Sequence, residues 1–297
     1  MERGGGFLRL FQILKNFFIS IAGIWLIGGL PVLLAGLYVG SFRWKEYWTT
    51  ILDILLAFIH PSQLKYTIIG GQKERDLFPY LWEPIQYSLT ILFVAFALAI
   101  LVALCLTIMT MLCNERIRIR IKFTFYLLET LPDLLIILCA QFTMIAFYHQ
   151  FGTIPIGIAA TDESKVYLLP IVILAILPTI HLFRLSMLTF EQEERKDYVL
   201  LARSIGHAPF FVLAVHVLRN AIISVFFQSK KTMWFMLSNL YVVELLFNIP
   251  GITRFLMSTL DPRLFTLALF SLFVPLFIFY NAGEYLLSRH ANKGEAL

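Results

Sequence analysis

Charge is scarce in this sequence. Asp, Glu, Lys and Arg make up only 14% of its 297 residues, against about 25% in a soluble globular domain. Hydrophobic residues reach 59% where about 45–50% is usual, and mean hydropathy is +0.79. So large an apolar excess excludes an ordinary water-soluble domain and implies lipid as solvent. Cysteine is nearly absent. Cys105, Cys113 and Cys139 lie in or beside apolar runs without ligand-like spacing, which excludes a disulfide framework and leaves them as small buried hydrophobes. No GxxxxGK[ST] phosphate loop, HExxH, GxSxG or Cys/His cluster occurs. The chain is therefore not expected to be an enzyme or to hold a metal or cofactor, and any energy source must lie in another protein or in an ion gradient. Tandem repeats and low-complexity tracts are missing too, so no second, soluble domain is expected.

What the chain does contain is long apolar runs. A hydrocarbon core of about 30 Å needs roughly 20 apolar residues in a helix. Six stretches qualify: about 17–39, 86–112, 123–148, 166–190, 220–246 and 264–287. The N-terminal apolar run is too long for a signal peptide and lacks a small-x-small cleavage site, so it reads as an uncleaved first span. Phe7–Lys15 mixes apolar and basic residues and is expected to lie along the cytoplasmic face, as part of an amphipathic segment 1–16. Basic residues mark alternate loops: Arg3, Arg9 and Lys15; Arg116, Arg118, Arg120 and Lys122; Arg195, Lys196 and Arg203; Arg289 and Lys293. The positive-inside rule then places both termini in the cytoplasm. The same rule assigns the net charge of +5 to cytoplasmic loops rather than to nucleic-acid binding. The expected layout is an all-α, six-helix membrane domain over 17–290 with a short cytoplasmic tail at 291–297. A long outer loop spans 40–85 and a cytoplasmic loop spans 191–219. Within the outer loop, Trp48–Ile59 is too short to span and carries Asp53, so an amphipathic helix packed on the outer surface is expected.

From Asp197 the chain reads DYVLLARSIG, and LRNA follows at Leu218–Ala221. Further on come Glu244, Phe247, Pro250 and Gly251 in an E-x-x-F-x-x-PG pattern, ahead of Asp261–Pro262. Over about 165–287 this resembles the permease subunits of binding-protein-dependent ABC importers, in the oligopeptide/dipeptide/nickel branch. The first half matches mainly in topology and in its long outer loop. The resemblance implies a type I permease fold in the bacterial cytoplasmic membrane. It also implies a second homologous permease, two ATP-binding-cassette subunits that hold the ATP and Mg, and an extracytoplasmic solute-binding protein. Asp197, Tyr198, Ala202, Arg203 and Gly206 would dock the ATPases. Ala202 and Gly206, four apart on one helix face, would allow close approach. Asp197 and Arg203 would make charged contacts to the partner, and Gly206 would turn the chain into a second short helix near Pro209. Glu244, Phe247, Pro250 and Gly251 would lie at an outer gate or binding-protein contact, Glu244 being otherwise an interfacial acid.

The chain departs from the family pattern in three places. Leu200 stands where the fuller signature has an acid. The family's two basic residues three apart appear as His181 and Arg184, but the link from Leu188 to Asp197 is a few residues longer than the pattern. Lys230 and Lys231 stand where the family has Gly and an apolar residue, nine and ten residues past Ala221 and so about 14 Å into the membrane. A lysine near mid-bilayer costs on the order of 3 kcal/mol unless paired or hydrated. Glu129 and Asp133 lie about 9–15 Å deep by the same rise, on one face of the third span, with Pro132 as a kink between them. His181 reaches a similar level. These five are the candidate pore or gate charges. One arrangement pairs Glu129 and Asp133 with Lys230 and Lys231; in the other the lysines snorkel and the acids face a water-filled vestibule. Asn281 and Glu284 are expected to be packing and interfacial groups. Two functional alternatives to an importer of a peptide-like or other small solute remain. One is a permease-like sensor, and the other is an ion-coupled carrier using Glu129, Asp133 and His181 as a proton relay.

Overall fold

The computed structural model describes residues 3–38, 40–59, 64–66, 75–152, 165–258 and 261–294. Parts of the expected outer loop (60–63 and 67–74) and of the two terminal segments (1–2 and 295–297) lie outside the described residues. Six helical stretches among the described residues are long and apolar enough to cross a membrane: Phe11–Tyr38, Trp82–Leu112, Asp133–Phe151, Leu168–Glu194, Pro209–Leu246 and Pro262–Leu287. Helix is the one open element that satisfies every backbone group internally when water is absent. Hydroxyls inside these helices follow the same logic. Thr107, Thr110, Thr179, Thr189 and Thr266 each donate to the carbonyl four residues earlier, at 2.7–3.0 Å.

The chain divides into two compact units, Leu89–Ile249 and the flanking Met1–Ser88 with Pro250–Leu297. In the flanking unit, α1 (Arg3–Gly28) runs on from the N-terminal basic segment as a single helix, so Phe7–Lys15 is not a separate element. It breaks at Gly29 into α2 (Leu30–Tyr38). The break sits where backbones come close. A Cβ on Gly28 would lie 1.9 Å from the Thr266 hydroxyl, and one on Gly29 would lie 2.7 Å from the Tyr47 ring. Small residues are what permit such approach between membrane helices. The amphipathic helix of the outer loop is present as α3 (Trp44–Ile59), four residues longer than its apolar core suggested. It packs on α1, α2 and α12 (Pro262–Gly294), burying Tyr47, Ile51 and Ile54. Trp25 donates its indole N–H to the Ile51 carbonyl at 2.9 Å. The loop also holds a two-residue antiparallel ladder that periodicity did not predict, with β1 (Lys65–Tyr66) against β2 (Arg75–Asp76). The short α11 (Ile252–Ser258) precedes α12.

α4 (Trp82–Leu112) leads into the other unit. There α7 (Leu168–Glu194) is the central helix, packed chiefly on α10 (Leu218–Leu246), with Leu182, Phe183 and Phe190 fully buried. The expected third span, 123–148, does not exist as one helix. α5 (Glu115–Glu129) stops at Thr130, and α6 (Asp133–Phe151) starts after Pro132, whose ψ of 136° is extended. Proline lacks the N–H that would continue the ladder and disfavours helix in the residue before it. Glu129 and Asp133 therefore end one helix and begin the next rather than sharing a face. α8 (Asp197–Ser204) follows α7 closely. The second short helix, α9 (Pro209–Phe211), is not separate, because it continues through a π-helical stretch at Val212–Val217 into α10. Cys105 and Cys139 are exposed on the chain rather than buried.

Candidate functional site

α8 is held from behind. Two of the three acids at the end of α7, Glu193 and Glu194 of FEQEE (190–194), do the holding. Glu193, itself buried, accepts from the Tyr198 hydroxyl at 2.7 Å and from Lys196 Nζ at 2.6 Å. Burial pushes the Tyr198 phenol up to about 12, with Asn220 acting against that shift and the Glu193 hydrogen bond reinforcing it. Tyr198 is therefore a neutral donor across the physiological range. Glu194 pairs with Arg203 and lies 3.6 Å from Arg118 of α5. Glu191 takes Lys122, also of α5, at 2.8 Å. One helix end thus gathers α5 and α8 into a single ionic hub.

This geometry revises the roles read from the motif. Ala202 is buried and turned toward its own chain, so it is a packing residue. Arg203 already has Glu194 as its partner, whereas Asp197 remains exposed in the first turn of α8. Gly206 has φ +92°, and its N–H bonds the Arg203 carbonyl while the His207 N–H bonds the Ala202 carbonyl. Those two bonds form a Schellman cap, which requires a left-handed residue that glycine supplies at least cost. The outward crest of this region is apolar: Leu200, Leu201 and Ile205 are 53%, 62% and 67% exposed. Sequence reasoning noted Leu200 only as a departure from the signature and passed over Leu201 and Ile205. The signal was there, since these large aliphatics stand among charged residues of a short loop.

Inside the unit, Glu129 pairs with Arg184 and lies 3.0 Å from His181 Nδ1. Asp133 accepts from the Asn239 side-chain amide at 3.0 Å. Glu129 and Asp133 thus have partners other than Lys231, and neither forms an ion pair with it among the described residues. Arg184, noted in the sequence only as a family feature, stacks its guanidinium over the Tyr126 ring at 5.2 Å. Two cavities meet at this cluster. One, of about 510 Å³, is lined by Lys122, Tyr126, Arg184 and Glu191 among others, and the second, of about 350 Å³, by Asp133, Lys231 and Thr232 among others. Glu129 and His181 line both and so stand on their shared wall. Both lysines are exposed, but only Lys231 lines a cavity; Lys230, one residue and about 100° earlier on the helix, lines neither.

Glu244 and Phe247 are fully buried. Their side chains are not displayed at a surface, whereas Pro250 is exposed and Gly251 buried. The segment marks a helix end: α10 closes at Leu246, and Asn248 takes a left-handed φ of 53° before Pro250.

The chain can now be set beside known proteins. It is similar to the dipeptide transport system permease protein DppB of Bacillus subtilis (strain 168), with 29% identity over 106 residues, covering 35% of this chain and 34% of that protein. It is also similar to the di/tripeptide transport system permease protein DppB of Pseudomonas aeruginosa (strain UCBPP-PA14), 30% identical over 102 residues, covering 34% and 30%. The glutathione transport system permease protein GsiC of Shigella flexneri serotype 5b is 30% identical over 123 residues, covering 41% and 40%. The chain therefore matches only about a third to two fifths of the length of these relatives. A family model matches far more of it, residues 95–290, which hold the α7 hub, α8, both cavities and most of α12. The chain belongs to the family of binding-protein-dependent transport system inner membrane components.

Proposed function

We propose that this chain is a membrane-spanning permease subunit of an ABC importer for a peptide-like or other small solute, driven by separate ATP-hydrolysing subunits that dock on α8. The observation that carries the reading is the apolar crest Leu200, Leu201 and Ile205, on a helix whose back is pinned to α7 by Glu193 and Glu194. A contiguous exposed apolar patch beside charged residues marks a protein-binding site. A pinned helix also transmits force where a free loop would absorb it. ATP-driven closure of the motor would displace α8. The hub would carry that displacement into α7, and into α5 through Arg118 and Lys122. The bundle would then rock between inward-open and outward-open states. By the family's pattern a second permease completes the pathway, and a solute-binding protein delivers the cargo. The peptide-like cargo is suggested by the relatives named above.

Purifying the tagged chain with its neighbouring subunits tests this. ATP-binding subunits are expected to co-purify with the wild type and to be lost on Ile205→Asp. Retention of those subunits by Ile205→Asp would contradict the docking role of the crest. Solute uptake driven by a pH gradient without ATPases would favour instead an ion-coupled carrier built on the Glu129–His181 contact.

A further inference from the structure

We infer that the 350 Å³ cavity beside the start of α6 is a subsite for a zwitterionic solute, with Lys231 taking a carboxylate and Asp133 an ammonium group. The inference rests on the permease reading and adds a binding chemistry to it. The volume lies in the range of small-molecule sites, about 300–1,000 Å³, and Leu131, Leu177 and Phe235 give the cavity apolar walls. Charge accounting singles out two of its titratable groups. The Glu129 carboxylate is occupied by Arg184 and His181. Asp133, in the first turn of α6, holds a neutral amide from Asn239 and no cationic side chain among the described residues. Lys231 makes no ion pair among the described residues. A cation and an anion without an oppositely charged side-chain partner among the described residues, on α10 and α6, thus line the same space. Opposite charges lining one partly apolar cavity match a molecule that carries both.

A hydroxyl supplies an independent sign. Five threonines elsewhere in the spans donate to the carbonyl four residues earlier. Thr232 does not: its hydroxyl is buried and has no hydrogen-bond partner, and Thr232 lines this cavity beside Lys231. Buried polar groups left unmet in this way mark a missing partner, and a solute carboxylate held by Lys231 would accept from it.

Binding to the full chain in lipid nanodiscs tests the inference without any ATPase. The probes are L-alanyl-L-alanine, its N-acetyl derivative and its C-terminal amide, titrated calorimetrically. The wild type is expected to prefer the unmodified dipeptide over both derivatives. Lys231→Gln should weaken the dipeptide about tenfold, down to the level of the amide, while leaving the amide itself unchanged. Asp133→Asn should do the same relative to the N-acetyl form. Lys231→Arg keeps the charge and should keep the preference, which separates loss of charge from misfolding. Equal binding of all three probes by the wild type, no binding of any, or an intact preference in Lys231→Gln would overturn the inference. None of those results touches the docking of ATPases on α8, whose failure shows instead in the co-purification.

Discussion

The α7 hub and the Lys231 cavity are built from the same kinds of side chain and differ in how completely those side chains answer one another. At the end of α7 each acid has a cation or a phenol of its own chain: Lys122 on Glu191, Lys196 and Tyr198 on Glu193, Arg118 and Arg203 on Glu194. In the cavity, Glu129 is matched, but among the described residues Asp133 has only an amide and Lys231 has no acid. A region that satisfies itself is suited to transmitting displacement, because breaking several charge-assisted bonds at once is costly. A region that leaves charge unanswered is suited to receiving something. Coupling and recognition are on this account physically separate, and substitutions in one should spare the other.

The largest expected effect is on the outward side of the hub. Ile205→Asp puts a charge into an apolar contact, and ATP-driven uptake should fall by more than about tenfold. Dipeptide binding in nanodiscs should stay unchanged. Loss of both would erase the distinction between the regions. Glu194→Ala removes the partner of Arg203 and frees α8 from α5, so uptake should drop roughly fivefold to tenfold while the chain still inserts. Tyr198→Phe deletes one hydrogen bond to the Glu193 carboxylate, whose other donor, Lys196, remains, so uptake should fall by about fivefold at most. Because the Tyr198 phenol is pushed up to about 12, its ionisation should leave uptake unaffected from about pH 6 to 9. The wild type is thus expected to match Tyr198→Phe in the shape of its pH profile there. The smallest effect belongs to the cavity. Asn239→Ala strips the amide from Asp133 and should shift dipeptide binding by about twofold with coupling intact.

Much of this was legible in the sequence. Hydropathy located six apolar stretches, and DYVLLARSIG marked the segment that becomes α8. The third span was misplaced because hydropathy runs smoothly through 123–148 while the backbone does not. Pro132 held that information, but composition does not say whether a proline kinks a helix or ends it. Ala202 was misjudged for a different reason. It is small, and smallness alone does not fix which way a helix turns. Its rotation is set by Tyr198 reaching Glu193 and Arg203 reaching Glu194. Pairings of this kind depend on tertiary placement and leave no periodic trace in sequence. The same holds for Glu129, which meets Arg184 and His181 from 55 and 52 positions away rather than Lys231.

The most direct test of the docking surface is photocrosslinking in the assembled transporter. A photoreactive side chain is placed at position 205 in one chain and at position 202 in another. The account predicts that position 205 crosslinks to an ATP-binding subunit and that position 202, buried against its own chain, does not. A crosslink from 202 to the ATPase with none from 205 would show that α8 presents its other face, and the crest of Leu200, Leu201 and Ile205 would no longer be the coupling surface.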